Sequence, residues 1–204
     1  ANIGLFTLYA LQKCKLDCHI HCFEPIPQTF DCLVNNVQPY HDIVTTNNIG
    51  LGNETKQIDF TIFGETTTTA TYRPNDKLKT NYLPMKNFKT LQYLSQFFDK
   101  SLYYKLTFLP FLRRYLINKY FKKVTKPTVI SCQMSSLSDY ISKHHIKSID
   151  FLKIDVEGAE LDVLKGIGEN QFIGINQISM EIHDIDNRID AVKRILQNQG
   201  FKHI

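Results

Sequence analysis

The sequence predicts an α/β fold built on a doubly wound, mainly parallel sheet. Three observations lead there. Short apolar runs alternate with segments of helical periodicity along most of the 204 residues. Cys18 to Phe23 is a short apolar run and Ile149 to Val156 is almost continuously apolar, as strands covered on both faces require. Polar or acidic residues follow several runs directly, at the carboxyl ends of strands where such sheets bind ligands.

Taken in order, Gly4 to about Lys13 reads as a helix with Leu5, Leu8, Tyr9 and Leu11 on its apolar face. Cys18 to Phe23 is a buried parallel strand ending at Glu24-Pro25. Pro27 opens a second helix, with Phe30, Leu33, Val34 and Val37 at helical spacing. Asp42 to Thr46 is a further strand, and Asn47 to Asn53, with Gly50 and Gly52, is turn chemistry. Ile58, Phe60 and Ile62 alternate as a half-exposed strand does, and Thr66 to Thr69 reads as a polar loop. A basic segment follows, in which Pro110 precedes a helical stripe of Leu112, Tyr115, Leu116 and Tyr120. Val129 to Cys132 is a strand. Ser136-Leu137-Ser138-Asp139 is a capping-box pattern opening a helix to about Lys143. Ile149 to Val156 is the strongest strand. Gly158 to Lys165 is helical, with Leu161, Leu164 and Ile167 on one face and Gly166 or Gly168 at its stop. Ile178, Met180 and Ile182 alternate as a strand. Ile189, Val192, Ile195 and Leu196 mark a helix ending before Gly200, and Phe201 to Ile204 would begin another strand. No internal repeat is read.

Hydrophobic residues make up 43% and charged residues 22%, a globular balance. No run reaches the roughly 18 to 20 apolar residues of a membrane helix, and no leader peptide is read at the start. The net charge of +4 conceals an asymmetry. Residues 77 to 126 carry 12 Lys and Arg against the single acid Asp99, or +11, while 12 bases face 19 acids elsewhere, or −7. The five cysteines, Cys14, Cys18, Cys22, Cys32 and Cys132, are an odd set, expected as thiols in a reducing, cytoplasmic compartment. Cys14, Cys18 and Cys22 are evenly spaced, but the second gap is one residue too long for an iron–sulfur loop, so packing thiols are the expectation. Ala1-Asn2-Ile3-Gly4 reads like the middle of a turn, and the chain is expected to be cut from a longer one.

Four pieces of sequence fall at strand ends where chemistry is expected. Asn2-Ile3-Gly4 precedes the first helix, where a small residue lets backbone approach a ligand and the helix N-terminus favours a carboxylate. Glu24 ends a strand, where an acid can accept from both ribose hydroxyls. Asp155-Val156-Glu157-Gly158 ends the next major strand, and Glu181-Ile182-His183 the one after. Each has a plainer reading. Glu24 alone is a surface acid, Asp155 and Glu157 complement a helix dipole, and His183 is a loop histidine. Their common position after successive strands favours a site. No Cys/His spacing suggests zinc, and two carboxylates do not establish a magnesium site.

Ala1-Asn2-Ile3-Gly4-Leu5-Phe6 resembles the tail of a pattern in which Asp-x-Gly precedes Ala-Asn-x-Gly, and Phe23-Glu24-Pro25-Ile26-Pro27 resembles the second-strand motif of the same family. Ile149 to Glu160, followed by Val163-Leu164-Lys165-Gly166, is close to a signature of FkbM methyltransferases, and Glu181-Ile182-His183 fits its position there. The resemblance covers roughly Ala1 to Glu65 and Val129 to Ile204. It implies a Rossmann-like sheet of the class I methyltransferase type, one domain over residues 1–204 truncated at both ends, with a basic helical insertion at 77–126. The upstream Asp-x-Gly strand is missing, so the chain as given is expected to bind cofactor poorly.

The resemblance further implies methyl transfer from S-adenosylmethionine, usually to a hydroxyl oxygen of a small molecule, a sugar or a carrier-tethered polyketide or peptide. By analogy Asn2 and Gly4 lie beside the methionine moiety, Glu24 holds the ribose, and Asn47 or Asn48 edges the adenine. Asp155 and Glu157 line the transfer site. The acceptor must lose one proton, and His183 or Asp155 is the expected base. A competing reading is a non-catalytic binding or scaffold domain that kept the fold. A dinucleotide-dependent enzyme lacks its full glycine fingerprint here, and no aromatic-flanked motif speaks for nucleic acid. The basic segment is expected to cover the acceptor side and to meet an acidic carrier protein or an anionic surface.

Overall fold

The computed structural model describes residues 1–14, 18–64, 70–182 and 187–202, the side chain of Thr80 excepted. The expected Thr66 to Thr69 loop, the candidate base His183, and His203 and Ile204 lie outside the described residues. Phe201 and Lys202 are not in a strand.

Along the chain come α1 (Leu5–Lys13), β1 (Ile20–Phe23), α2 (Pro27–Val37), β2 (Val44–Asn47), β3 (Gly50–Gly52) and β4 (Lys56–Phe63). Then follow α3 (Pro74–Lys77), α4 (Phe88–Phe98), α5 (Lys100–Phe108), α6 (Arg113–Val124) and β5 (Pro127–Ser136). The last elements are α7 (Leu137–Lys143), β6 (Leu152–Ile154), α8 (Glu160–Lys165), α9 (Glu169–Phe172), β7 (Ile178–Met180) and α10 (Arg188–Asn198). The fold is α/β. The chain divides into two compact units, one of residues Ala1–Phe60 with Ile130–Ile204, the other of Thr61–Val129.

The described strands form three small sheets, in which the pairs β1–β2, β3–β5 and β6–β7 run parallel. β1 runs beside β2 with Ile20 opposite Val44 and Phe23 opposite Asn47. β6 runs beside β7 with Leu152 opposite Ile178. β3 pairs with β5, which lies between β3 and β4. One core gathers Leu137, Ile141, Val163, Leu164, Val192 and Leu196, from α7, α8 and α10, around Ile154 of β6. A second sets Cys22 and Val44 of the β1–β2 pair against Leu33 and Val37 of α2, with Leu8 and Leu11 of α1 beside them.

Several sequence expectations need correction. Leu5 and Tyr9 are exposed, and the buried face of α1 runs instead through Thr7, whose hydroxyl lies 3.1 Å from the Cys22 thiol. Gly50 and Gly52 belong to a strand rather than a turn. A Cβ on Gly50 would stand 2.5 Å from the Met134 sulfur of β5, so glycine is there for close approach. Ile149 to Val156 is strand only at Leu152–Ile154, preceded by one parallel bridge between Ile149 and Ile175. Ser136 caps α7 as expected, its hydroxyl accepting from the Asp139 amide at 2.9 Å, while Asp139 accepts from the Thr55 hydroxyl at 2.5 Å. Cys22 and Cys132 are buried, but Cys14 and Cys32 are exposed.

The described helices of the second unit, α3 to α6, include a core of Leu91, Leu102 and Leu106, with Phe88, Leu116, Ile117 and Tyr120 against it. Tyr115, expected in that stripe, points outward. Asn87 caps α4 by accepting from Lys89 and Thr90 amides, and Asp99 caps α5 by accepting from the Leu102 amide. Arg113 closes the other end of α5. It donates to the Leu106 and Thr107 carbonyls and lies over the Phe88 ring. A short pattern recurs in the two helices. Lys89-Thr90-Leu91 through Tyr93 to Phe97 recurs as Lys100-Ser101-Leu102 through Tyr104 to Phe108. Its two recurring leucines, Leu91 and Leu102, are buried in the hairpin together with Leu106. No helix among the described residues is long and apolar enough to cross a membrane.

Candidate active site

The candidate residues at the carboxyl end of β1 are tied together by the backbone before α1. Asn2 and Gly4 both take left-handed backbone conformations, with φ of 53° and 88°. The Asn2 amide thereby donates to Glu24 Oε2 at 2.8 Å. The other oxygen, Oε1, accepts from the Ile26 amide at 3.2 Å. Glu24 is buried, and these two amides hold its carboxylate in place. Asn48 joins from the end of β2, its side-chain amide donating to the Glu24 carbonyl at 2.9 Å and to the Pro25 carbonyl at 3.3 Å. Asn2, Glu24 and Asn48 are therefore one bonded cluster. Gly4 has a local reason to be glycine besides its φ. A Cβ there would sit 2.8 Å from Leu33 Cδ1, so the close approach is to α2.

Behind this cluster lies a second network. The Asn47 amide donates to the Cys22 carbonyl at 3.0 Å, which turns its Oδ1 toward the Tyr140 hydroxyl at 3.2 Å. With that hydroxyl donating to Asn47, its oxygen accepts from His21 Nδ1 at 2.9 Å, which assigns the proton of neutral His21 to Nδ1. His19 and His144 stand beside His21, with ring centroids 4.8 Å and 6.5 Å away. Burial, then the neighbouring His19 and His144, push the His21 imidazole below its ordinary value.

At the carboxyl end of β6, Asp155 is exposed and its Oδ2 lies 2.6 Å from Lys153 Nζ. That ammonium stands 5.2 Å from the Phe6 ring centre, so Lys153 connects Asp155 to the first turn of α1. The turn that follows is sharp: Glu157 has φ of 53° and Gly158 of 102°. Two buried charges hold it. Glu160 Oε1 accepts from the Gly158 amide at 2.7 Å, and Arg188 donates to the Gly158 carbonyl at 2.8 Å. Arg188 also pairs with Glu160 Oε2 at 3.5 Å. On the other side the Glu181 amide donates to the Ile154 carbonyl at 3.0 Å. The described residues flanking 183–186 are thus fastened to the Asp155–Glu160 turn.

Glu157 is exposed at the tip of this turn. Sequence reasoning passed over Glu160, although it stands in the quoted signature block, because its type and place gave no ligand-binding argument. Arg188 carried no sequence signal, being 30 residues beyond the glycine it holds.

Residues 1–203 of the 204 match the model of the methyltransferase FkbM domain. The chain belongs to the FkbM methyltransferase domain family. Among curated relatives, Methyltransferase 1 of Beauveria bassiana is 26% identical over 203 residues, covering 98% of this chain and 69% of that protein. The 31-O-demethyl-FK506 methyltransferase FkbM of Streptomyces tacrolimicus is also 26% identical, covering 98% of this chain and 70% of its own. The AMB antimetabolite synthetase AmbE of Pseudomonas aeruginosa is 26% identical over 222 residues, covering 99% of this chain but only 9% of the synthetase. No solved structure matches the FkbM-type chain.

Proposed function

We propose that the chain is an S-adenosylmethionine-dependent methyltransferase acting on a hydroxyl oxygen of a small molecule, a sugar or a carrier-tethered acceptor. The family generally uses this cofactor, and the Streptomyces relative is named for an oxygen-linked methyl. The match to a stretch of a much longer synthetase favours a tethered acceptor as one of these classes. The parallel β1–β2 and β6–β7 pairs, flanked by helices, support a Rossmann-like doubly wound sheet with its ligands at the carboxyl ends.

The observation that carries the reading is the held carboxylate of Glu24. A carboxylate offers about four acceptor positions, and the Asn2 and Ile26 amides use two. The Ala1 ammonium also stands 3.5 Å from Oε2, so Oε1 keeps the freer acceptor position for a ribose hydroxyl, and an acceptor of this kind fits the cofactor. Asn2 and the turn at Gly4 would adjoin its amino-acid end, and Asn48 its base. The cofactor, when bound, supplies a methyl already activated on a sulfonium. The protein's own task is then to orient the acceptor oxygen and to take one proton from it. Asp155 holds Lys153 through Oδ2 and keeps Oδ1 for the acceptor. Asp155 or His183 takes the proton, and Glu157 lines the same turn.

Transfer of a labelled methyl from S-adenosylmethionine to a panel of sugars, polyols and carrier-bound hydroxyacyl groups tests this. Labelled product with the methyl on oxygen is expected. Cofactor binding with no transfer to any acceptor would favour the scaffold reading.

A further inference from the structure

The α4–α5 hairpin carries an outer face that the core of its unit does not use. In each helix one pair of positions is buried: Leu91 and Ser95 in α4, Leu102 and Leu106 in α5. The repeated Lys-x-x-x-Tyr-x-x-x-Phe pattern runs along the other side, because Tyr93 and Phe97 each stand two residues, about 200°, beyond a buried position. The same holds for Tyr104 and Phe108. These rings are among the most exposed apolar groups of the protein: Phe97 at 74%, Phe108 at 70%, and Phe111 in the turn after α5 at 78%. Tyr93 contacts Phe97 and Tyr104 contacts Phe108, so each helix carries an aromatic ridge. Exposed Lys89 and Lys100 begin the two ridges, and Lys105 flanks the second. Asp99, the single acid in residues 77–126, is committed to capping α5.

We propose that this face docks on the interface of an anionic lipid bilayer. The phenylalanines would enter the boundary between headgroups and acyl chains, the tyrosines would lie at headgroup level, and the lysines would meet lipid anions. The charge balance selects this occupant. A partner must be anionic and must also accept several bare phenyl rings, and an anionic bilayer interface offers both over a broad area. A second copy of the chain would bring another +11 segment against the first. An acidic protein would answer the lysines but would need a matching apolar pocket for each ring.

The chain has no tryptophan, so Phe97→Trp and Phe108→Trp each create a single fluorescent reporter on this face. The test uses flotation and tryptophan emission with vesicles of phosphatidylcholine alone and of phosphatidylcholine with phosphatidylserine. Wild type is expected to float with the serine-containing vesicles, less so as salt is raised, and both reporters to shift to the blue on those vesicles. The pair Phe97→Ser and Phe108→Ser, and separately Lys89→Glu with Lys100→Glu, should each lower partitioning by about tenfold or more. All four positions are exposed, and unchanged circular dichroism would establish that the variants are folded. The proposal is overturned if wild type ignores both vesicle types, or if it floats while the reporters and variants leave partitioning and emission unchanged. It is also overturned if the serine variants abolish a dimer, or lose affinity for an acidic carrier protein, without altering vesicle binding.

Discussion

Arg188 and Glu160 together hold both polar groups of the Gly158 peptide: the guanidinium donates to its carbonyl and the carboxylate accepts from its amide. The pair is buried, with the Glu160 side chain fully shielded. Removing one member leaves the other charge in the core, which costs about 3 to 5 kcal/mol. Arg188→Met is expected to lose that much in urea unfolding. The double variant Arg188→Met with Glu160→Leu should be markedly more stable than the sum of its single changes predicts. Additive effects below about 1 kcal/mol would show that the pair does not hold the turn.

Gly4 carries two constraints that Gly200 separates. Both have positive φ, 88° and 89°, but an added Cβ meets Leu33 Cδ1 at 2.8 Å in the first and no described residue within 4 Å in the second. Gly200→Ala should cost about 1 to 2 kcal/mol for the backbone alone. Gly4→Ala should cost a further 1 to 3 kcal/mol or so for the crowding against α2. Equal losses in thermal or chemical unfolding would remove the packing explanation.

The His21 cluster gives a pH dependence of known sign. The folded imidazole sits below its ordinary value, mainly through burial, then through His19 and His144. On acidification the unfolded chain therefore takes up this proton first, and stability falls as pH drops from about 6.5 through the folded value. His21→Gln, which keeps a donor toward Tyr140, should flatten the loss between about pH 7.5 and 5 relative to wild type. Parallel stability curves for the two proteins would exclude His21 as the source.

What the sequence allowed to be read follows from how local each feature is. β1 and β7 were legible because apolar residues recur at every second position along them, Ile20 and Cys22 in β1 and Ile178 and Met180 in β7. Their ends were less so, since hydrophobicity reports burial and not pairing: Ile149 to Val156 is mostly apolar, yet only three of its residues form β6. β3 was illegible because glycines at Gly50 and Gly52, which read as a turn, answer to Met134 across the sheet. The rotation of α1 was misread because Tyr9 is apolar enough to suggest burial while Thr7, bonded to Cys22, is what goes inside. Glu24 was legible as an acid closing a strand before Pro25. Its hold by Asn2 and Ile26, and the grip of Arg188 on Gly158, depend on partners that no local pattern announces.

The proton acceptor separates by kinetics. Replacing the true base should lower turnover about 100- to 10,000-fold with little change in cofactor affinity. His183→Ala and Asp155→Asn, each measured for turnover and for cofactor binding, assign the role. Near-normal turnover in both would leave Glu157 or water as the acceptor.

The most direct test is calorimetric titration of S-adenosylmethionine into the full-length protein and its Glu24→Gln variant, with unfolding curves to establish that both are folded. The account predicts saturable one-to-one binding by wild type and an affinity about 5- to 150-fold weaker in the variant, the loss of one or more charge-assisted hydrogen bonds to the ribose. Equal affinities in the two proteins, or no binding by a folded wild type, would contradict it.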